Sequence, residues 1–209
     1  MLVKLSADPS AVSFMLLRRS RLLVYSSFCS LASRVLLRAK GTRLGKRCTF
    51  YGIPRVVRFF GSMISIGDAC TFRSDRLSNL IGVNRRCIIS SHRENAQITI
   101  GNSCGFSGVT IAAAQSIKIG ENVLCGANVV ITDFDWHSLD PHNRLSQEPN
   151  SLPVEIGNNV WLGLDVVVLK GASIGSNTVI GACSLVTGHI PDNVIAAGNP
   201  CRVIKPLMS

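Results

Sequence analysis

Between Ile156 and Val186 an aliphatic residue recurs at every sixth position without a break: Ile156, Leu162, Val168, Ile174, Ile180, Val186. The residues four places after each are Val160, Val166, Ala172, Thr178, Ser184 and Ile190, mostly small or β-branched. Glycine often follows the aliphatic, as Gly157, Gly163, Gly175 and Gly181 do here. Upstream, Gly45, Gly67, Gly101 and Gly120 follow Leu44, Ile66, Ile100 and Ile119. A helix needs an apolar period of about 3.6 and a half-exposed strand a period of about 2. A period of six fits neither, and suits a short strand and a turn, repeated. Three such units close a triangular coil of eighteen residues, and stacked coils set like positions in ladders around one continuous core. The pattern therefore predicts an all-β chain of hexapeptide repeats wound as a parallel β-helix over residues 42–206.

The pattern breaks after Ile131. Thr132 to Pro153 has no repeat of its own and is expected to be an expelled loop. An insertion of this length costs ordering entropy and is commonly retained for function. Before the repeats, residues 1–41 form a basic arm with a short helical segment. Within 12–38 an apolar stripe at helical spacing (Leu22, Tyr25, Cys29, Ala32, Leu36) lies among Arg18, Arg19, Arg21, Arg34 and Arg38. The longest uncharged run there, Leu22 to Ser33, is short of the roughly 20 residues a crossing helix requires. Lying on an anionic membrane surface and packing on the body or a sister subunit are both open for this arm. A signal peptide is disfavoured because the apolar segment is short and starts late.

Charge and cysteine content refine this picture. The formal net charge is +10, yet residues 1–60 hold twelve Lys or Arg against Asp8 alone, while residues 61–209 hold ten basic and eleven acidic. The body is neutral and only the arm is basic. Lacking aromatic platforms or a nucleic-acid motif, the chain is not expected to bind DNA or RNA. Eight cysteines in a chain of 209 residues without CxxC spacing do not demand a disulfide scaffold. Cys48, Cys70 and Cys104 each fall four places after a repeat aliphatic and Cys125 replaces one, so they are read as small buried hydrophobes. A small interior is likewise expected to explain an aromatic content of only 6%.

IGNNVWLG (156–163), the hexads through 190, IPDNVIAAGNP (190–200) and CRVIK (201–205) carry a resemblance. The chain resembles the bacterial hexapeptide-repeat O-acetyltransferases, the sugar and polysaccharide enzymes related to the maltose and galactoside acetyltransferases. The resemblance implies a left-handed β-helix, a hand that ordinary right-handed crossovers do not suggest. It also implies a cytoplasmic homotrimer, a site between neighbouring coils, acetyl-CoA as co-substrate and no metal. The acceptor it implies is a hydroxyl of a sugar or of a surface-polysaccharide precursor.

Acetylating a hydroxyl requires a base, and a histidine titrating near neutral pH suits the task. His137, in DFDWH of the loop, matches the family's loop histidine. Asp133 or Asp135 is the carboxylate that would orient it, and the sequence does not choose between them. His142, followed closely by Asn143 and preceded by Asp140 and Pro141, reads as a turn residue, and His92 and His189 as incidental. By resemblance Asn128 contacts the acceptor and Trp161 lines the cleft beside the thioester. Main-chain N–H groups near Gly163 would hold the oxyanion. Gly163 and Ala182 would border the cofactor, and Arg202 and Lys205 would meet its phosphates, with Lys170 a weaker option. The family's TKDIP reads Thr187-Gly188-His189-Ile190-Pro191 here, losing a lysine. No cysteine lies in the loop, so direct transfer is preferred to an acyl-enzyme.

Three other readings compete. A γ-class carbonic anhydrase would use His137 and His142 as zinc ligands, but the only histidine upstream, His92, is out of register for the third. Serine acetyltransferase shares the chemistry but carries a longer helical N-terminal domain. A non-catalytic β-helix scaffold would be indifferent to loss of His137.

Overall fold

The computed structural model describes residues 8–207; the first seven residues of the arm lie outside it. The chain folds as a left-handed parallel β-helix with three faces, preceded by one helix, α1 (Pro9–Ala39). Asp8 caps α1, its carboxylate accepting from the Ala11 N–H at 2.9 Å, and Pro9 opens the first turn.

The apolar period becomes three columns of side chains. On the first face Leu44, Ile66, Ile100, Ile119, Ile156, Ile174 and Ile190 stand in register. The second carries Phe50, Phe72, Phe106, Cys125, Leu162, Ile180 and Ala196. The third carries Val56, Ile89, Ile111, Ile131, Val168 and Val186. Ile156 meets Ile174 eighteen residues on, but the next coil is two residues shorter. Ile190 therefore stands in the aliphatic column itself and not in the small-residue corner where the hexad count places it.

The corners repeat as strictly as the faces. Asn122, Asn159, Asn177 and Asn193 all take positive φ between 55° and 58°. Their amides form a ladder, each donating to the next at 3.1, 2.9 and 2.9 Å. Asparagine tolerates the left-handed region and satisfies its neighbour there. At the adjoining corner position only glycine fits: a Cβ on Gly101 would lie 2.5 Å from the Gly120 carbonyl oxygen of the next coil.

One expectation about the core is revised and another holds. The interior is not uniformly aliphatic: Phe50, Phe72 and Phe106 stack with centroids 5.2 and 5.0 Å apart, filling the early coils with aromatic rings. All eight cysteines are free and seven are buried, Cys183 being the exposed one. Burial pushes the Cys87 and Cys125 thiols above their ordinary range, so they behave as hydrophobes.

The helix also packs otherwise than its apolar stripe suggests. Its buried face is Ser26, Cys29, Ser30, Ser33 and Leu37, whereas Tyr25 and Leu36 are exposed. The reason is what the coil offers at that end: an open strand edge with unpaired main-chain groups. The Ser30 hydroxyl accepts from the Phe50 N–H at 2.9 Å, Arg34 donates to the Cys48 carbonyl at 3.1 Å, and Lys40 donates to the Val56 carbonyl at 2.7 Å. Ser30, Arg34 and Lys40 thus satisfy that edge, while the Ser26 hydroxyl turns back to the Leu23 carbonyl of the helix itself. At the other end Arg202–Pro206 turns back antiparallel on Val194–Ala197 and closes the second face.

Two loops leave the coil. The 132–153 loop has a stapled base, with Phe134 bridging Ser151 and the Leu152 N–H donating to the Asp133 carbonyl at 2.8 Å. The other, between Arg73 and Ile88, is not anticipated by the hexads, although its turn formers Asp75, Ser78, Asn79, Gly82 and Asn84 signal it in retrospect.

Replacing the middle ring of the stack, Phe72→Ala, is expected to cost about 3–5 kcal/mol in equilibrium unfolding by guanidinium. A loss under about 1 kcal/mol would show that the stack does not support the early coils.

Candidate active site

The loop that bears His137 leaves the edge between the third and first faces. Asp133, fully buried at its root, accepts from the N–H groups of Ala114, Gln115 and Ser116 at 2.6, 2.8 and 2.6 Å. Both its oxygens are committed to the turn beneath the loop. Asp135 pairs with Lys170, which is thereby drawn to the loop root and away from the basic tail. Arg93 grips the far strand of the loop through the Pro149 carbonyl, the Ser151 hydroxyl at 3.2 Å and the Glu148 carboxylate at 3.5 Å. Between these anchors His92, Phe134 and Trp136 form an aromatic cluster with centroids 4.8 to 5.1 Å apart. His92 is held by Ser90 at 2.9 Å, and partial burial lowers its pKa against the opposing pull of Asp133. His92, read as incidental in the sequence, thus helps build the platform from which the loop projects.

His137 follows that platform directly and is exposed. Among the described residues its ring has no hydrogen-bond partner, so neither aspartate orients it within one chain. Further out, Asp140 holds a tight turn, accepting from the His142 N–H at 2.9 Å and the Asn143 amide at 2.7 Å. His142 is the turn residue the sequence suggests. His189 meets the Ser173 hydroxyl at 2.8 Å on the first face. Among the described residues no three His, Cys, Asp or Glu side chains converge.

Trp161 stands on a different part of the prism, on the outward side of the second face and half exposed. Its register partners along that outward row are Leu124 on one side and Val179 on the other, followed by Ile195 and then Lys205. Trp161 to Lys205 is three strand spacings, about 14 Å at ~4.8 Å each. The row is apolar until it ends in a cation. Arg202 lies on the same closing strand, paired with Ala197.

Gly163 and Ala182 occupy successive coils at the edge beside this row, where a Cβ on Gly163 would sit 2.6 Å from the Ala182 nitrogen. The Gly163 N–H is spent on the Ile180 carbonyl at 2.8 Å. The next amide, that of Leu164, has no acceptor among the described residues.

A cavity of about 350 Å³ opens on the same face, lined by Trp161, Leu124, Phe106, Ser107, Arg73 and Asn79 among others. Arg73, Asn79 and Ser107 are polar wall residues that the sequence reading missed. Arg73 lies 4.7 Å over the Tyr51 ring and donates to the Ser78 carbonyl at 3.0 Å; the Asn79 amide donates to the Ser107 hydroxyl at 3.2 Å. Asn128 is buried behind them. Its amide donates to the Gly82 carbonyl at 3.1 Å and accepts from the Asn84 N–H at 3.3 Å, so it secures the 74–87 loop and does not reach the cavity. A larger cavity of about 570 Å³, between α1 and the first coil, is remote from His137 and Trp161.

With this geometry in place, comparison with known proteins is informative. Residues 153–188 match the family model of the bacterial transferase hexapeptide repeat. Over 99 residues the chain is 46% identical to the galactoside O-acetyltransferase of Escherichia coli K12, covering 47% of this chain and 48% of that one. Over 106 residues it is 41% identical to the putative lipopolysaccharide biosynthesis O-acetyl transferase WbbJ of the same organism, covering 46% and 54%. The chain thus spans about half the length of these curated relatives. Among solved structures, a galactoside acetyltransferase in complex with coenzyme A superposes with a TM-score of 0.51 at 31% identity, over 79% of this chain and 65% of that one.

The two aspartates of the loop root are expected to separate experimentally. Asp133→Asn replaces an acceptor with a donor against buried N–H groups and should cost about 1–3 kcal/mol of stability. Asp135→Asn should cost about 1 kcal/mol or less, as partly exposed pairs do. Equal losses in thermal or denaturant unfolding would contradict the division of roles drawn from the hydrogen bonds.

Proposed function

Residues 153–188 being bacterial transferase hexapeptide repeats, we propose that the chain is an acetyl-CoA-dependent O-acetyltransferase acting on a hydroxyl of a sugar or of a surface-polysaccharide precursor. The observation that carries the reading is the outward row Trp161, Val179, Ile195, Lys205. It offers an apolar track for an extended thiol arm and a cationic end for phosphates, with Arg202 adding a forked donor. The thioester would lie at Trp161, bordered by Gly163 and Ala182. The unpaired Leu164 N–H is the donor suited to the developing oxyanion, since that of Gly163 is engaged.

His137 then takes the proton of the acceptor hydroxyl as its oxygen attacks the thioester carbonyl. The carbon–sulfur bond breaks, and the departing thiolate receives the proton back from the imidazolium. Of the two aspartates, Asp133 serves the backbone and Asp135 pairs with Lys170, so within one chain both hold the loop root and neither touches His137. The polar wall of the cleft (Arg73, Asn79, Ser107) suits a hydroxyl-rich acceptor. Asn128 acts there indirectly, by fixing the loop that carries Asn79.

The assembly proposed is a homotrimer, and the prism's geometry suits it. His137 leaves the edge opposite the face that holds Trp161, so one chain turns the two away from each other. Threefold packing of neighbouring prisms brings the loop of one to the second face of the next. Acetyl-CoA is a cytoplasmic metabolite, and the cytoplasm is the compartment proposed.

The test is thiol release from acetyl-CoA with galactosides and lipid-linked glycans as acceptors. His137→Ala should lower kcat by about 10²–10⁴-fold with little change in KM for acetyl-CoA. Lys205→Ala and Arg202→Ala should instead raise that KM, most at low ionic strength, where the phosphate contacts are least screened. Acceptor-dependent release that survives loss of His137 would remove the base from the scheme. Absence of release with every acceptor would remove the reaction.

A further inference from the structure

α1 presents its most apolar stripe away from the protein. Phe14, Leu17, Val24, Phe28, Leu31 and Val35 are each 58–74% exposed. At about 100° per residue they fall within an arc of roughly 100°, opposite the Ser26–Leu37 face that packs on the coil. The stripe is about 32 Å long at ~1.5 Å per residue. Arg21 lies within it, and Arg18, Arg34 and Arg38 flank it. The coil end beneath adds exposed Arg43, Arg47, Arg55 and Arg58, with no acidic residue between Pro9 and Gly67. An apolar stripe of this size on a monomeric surface marks a contact, and its rim is uniformly cationic.

We propose that α1 docks the protein in plane onto an anionic lipid bilayer, with the Phe14–Val35 stripe in the headgroup region and the arginines against lipid phosphates. The helix is long and apolar enough to cross a membrane by length and composition. The fold assigns it the other geometry. Residues 26–37 pack on the coil through Ser26, Cys29, Ser30, Ser33 and Leu37, and Arg34 holds the Cys48 carbonyl. A segment so attached cannot also be surrounded by lipid. Along residues 26–37 what remains free is one long side, as a surface-lying helix requires, while the first half, with Met15, Leu16 and Leu23 also exposed, stands clear of the coil. Arg18 donates to the Leu77 carbonyl at 3.3 Å, so the 74–87 loop, with exposed Leu77, Leu80 and Ile81, steadies the half of α1 that extends beyond the coil. The inference stands apart from the catalytic reading, because it uses none of the residues of the cleft or the 132–153 loop.

The experiment is flotation of the full chain with vesicles of phosphatidylcholine alone or mixed with phosphatidylglycerol. Binding is expected only to the anionic vesicles and should weaken with salt. Neutralising Arg18, Arg19 and Arg21 to Gln should weaken it by about fivefold for each residue. Leu17→Ser, Val24→Ser and Phe28→Ser combined should weaken it by roughly a hundredfold, with circular dichroism unchanged because all three are exposed. Phe28→Trp should be quenched by brominated acyl chains at a depth of about 5–10 Å. Equal binding by the triple-serine variant would overturn the proposal. So would a wild-type chain that ignores anionic vesicles while the serine variant changes its sedimenting size, a result that would make a second copy the occupant of the stripe.

Discussion

Each coil is held to the next by parallel main-chain hydrogen bonds, and that pairing forces every position into a column of its equivalents. Nothing in a column can be chosen alone. The glycine corners show the constraint most sharply, since a Cβ on one coil would enter the backbone of its neighbour. The asparagine ladder shows its reward: an amide that satisfies its neighbour at every step also sets the left-handed turn. Because the coil allows no local slack, any sequence that does not fit must leave it entirely. Both loops do so as closed excursions that return to register on the same column, as Ile119 to Ile156 and Ile66 to Ile100 demonstrate.

A stack of strands also has two ends, and the chain treats them differently. At the start, the open edge is met by a helix whose inward face is serine, cysteine and arginine, because the need there is for hydrogen-bond partners. That choice leaves the apolar residues of α1 on the outside. At the finish, the chain folds back on the second face, and the same strand that closes the edge brings Arg202 and Lys205 to the end of the Trp161 row. Edge protection and the cationic end of the row are therefore served by one segment, and edge protection and an outward apolar stripe by another.

The columns were readable in the chain because period six is a global signal, repeated until chance is excluded. The loop was readable as its interruption, with His137 and His142 as the histidines within it. What the sequence concealed follows from interactions that have no period. Asp133 and Asp135 look alike in DFDWH, and only the fold separates a carboxylate buried on three amides from one paired to Lys170. Asn128 resembles a site residue by motif, yet its amide is consumed by the 74–87 loop, which the hexads do not describe. The inward face of α1 misled for the same reason: helical periodicity locates apolar residues, but which side is covered depends on what the coil end lacks. The phenylalanine stack escaped notice because its members are 22 and 34 residues apart, spacings set by coil length and loop insertion.

The opposition of His137 and Trp161 is a consequence of triangular geometry. A prism with three faces has, opposite each face, an edge. The 132–153 loop leaves the edge opposite the second face, so His137 and the Trp161 row stand on different sides of the chain. On the proposed function, a base and a thioester track on opposite sides of one protomer would meet only where copies stand side by side. In the proposed trimer each edge would meet the next protomer's face, and every copy would supply one half of two sites. The proposed trimer would turn all three α1 helices toward one end, since each caps the start of its coil, and three lipid-docking stripes would then act together through effective concentration.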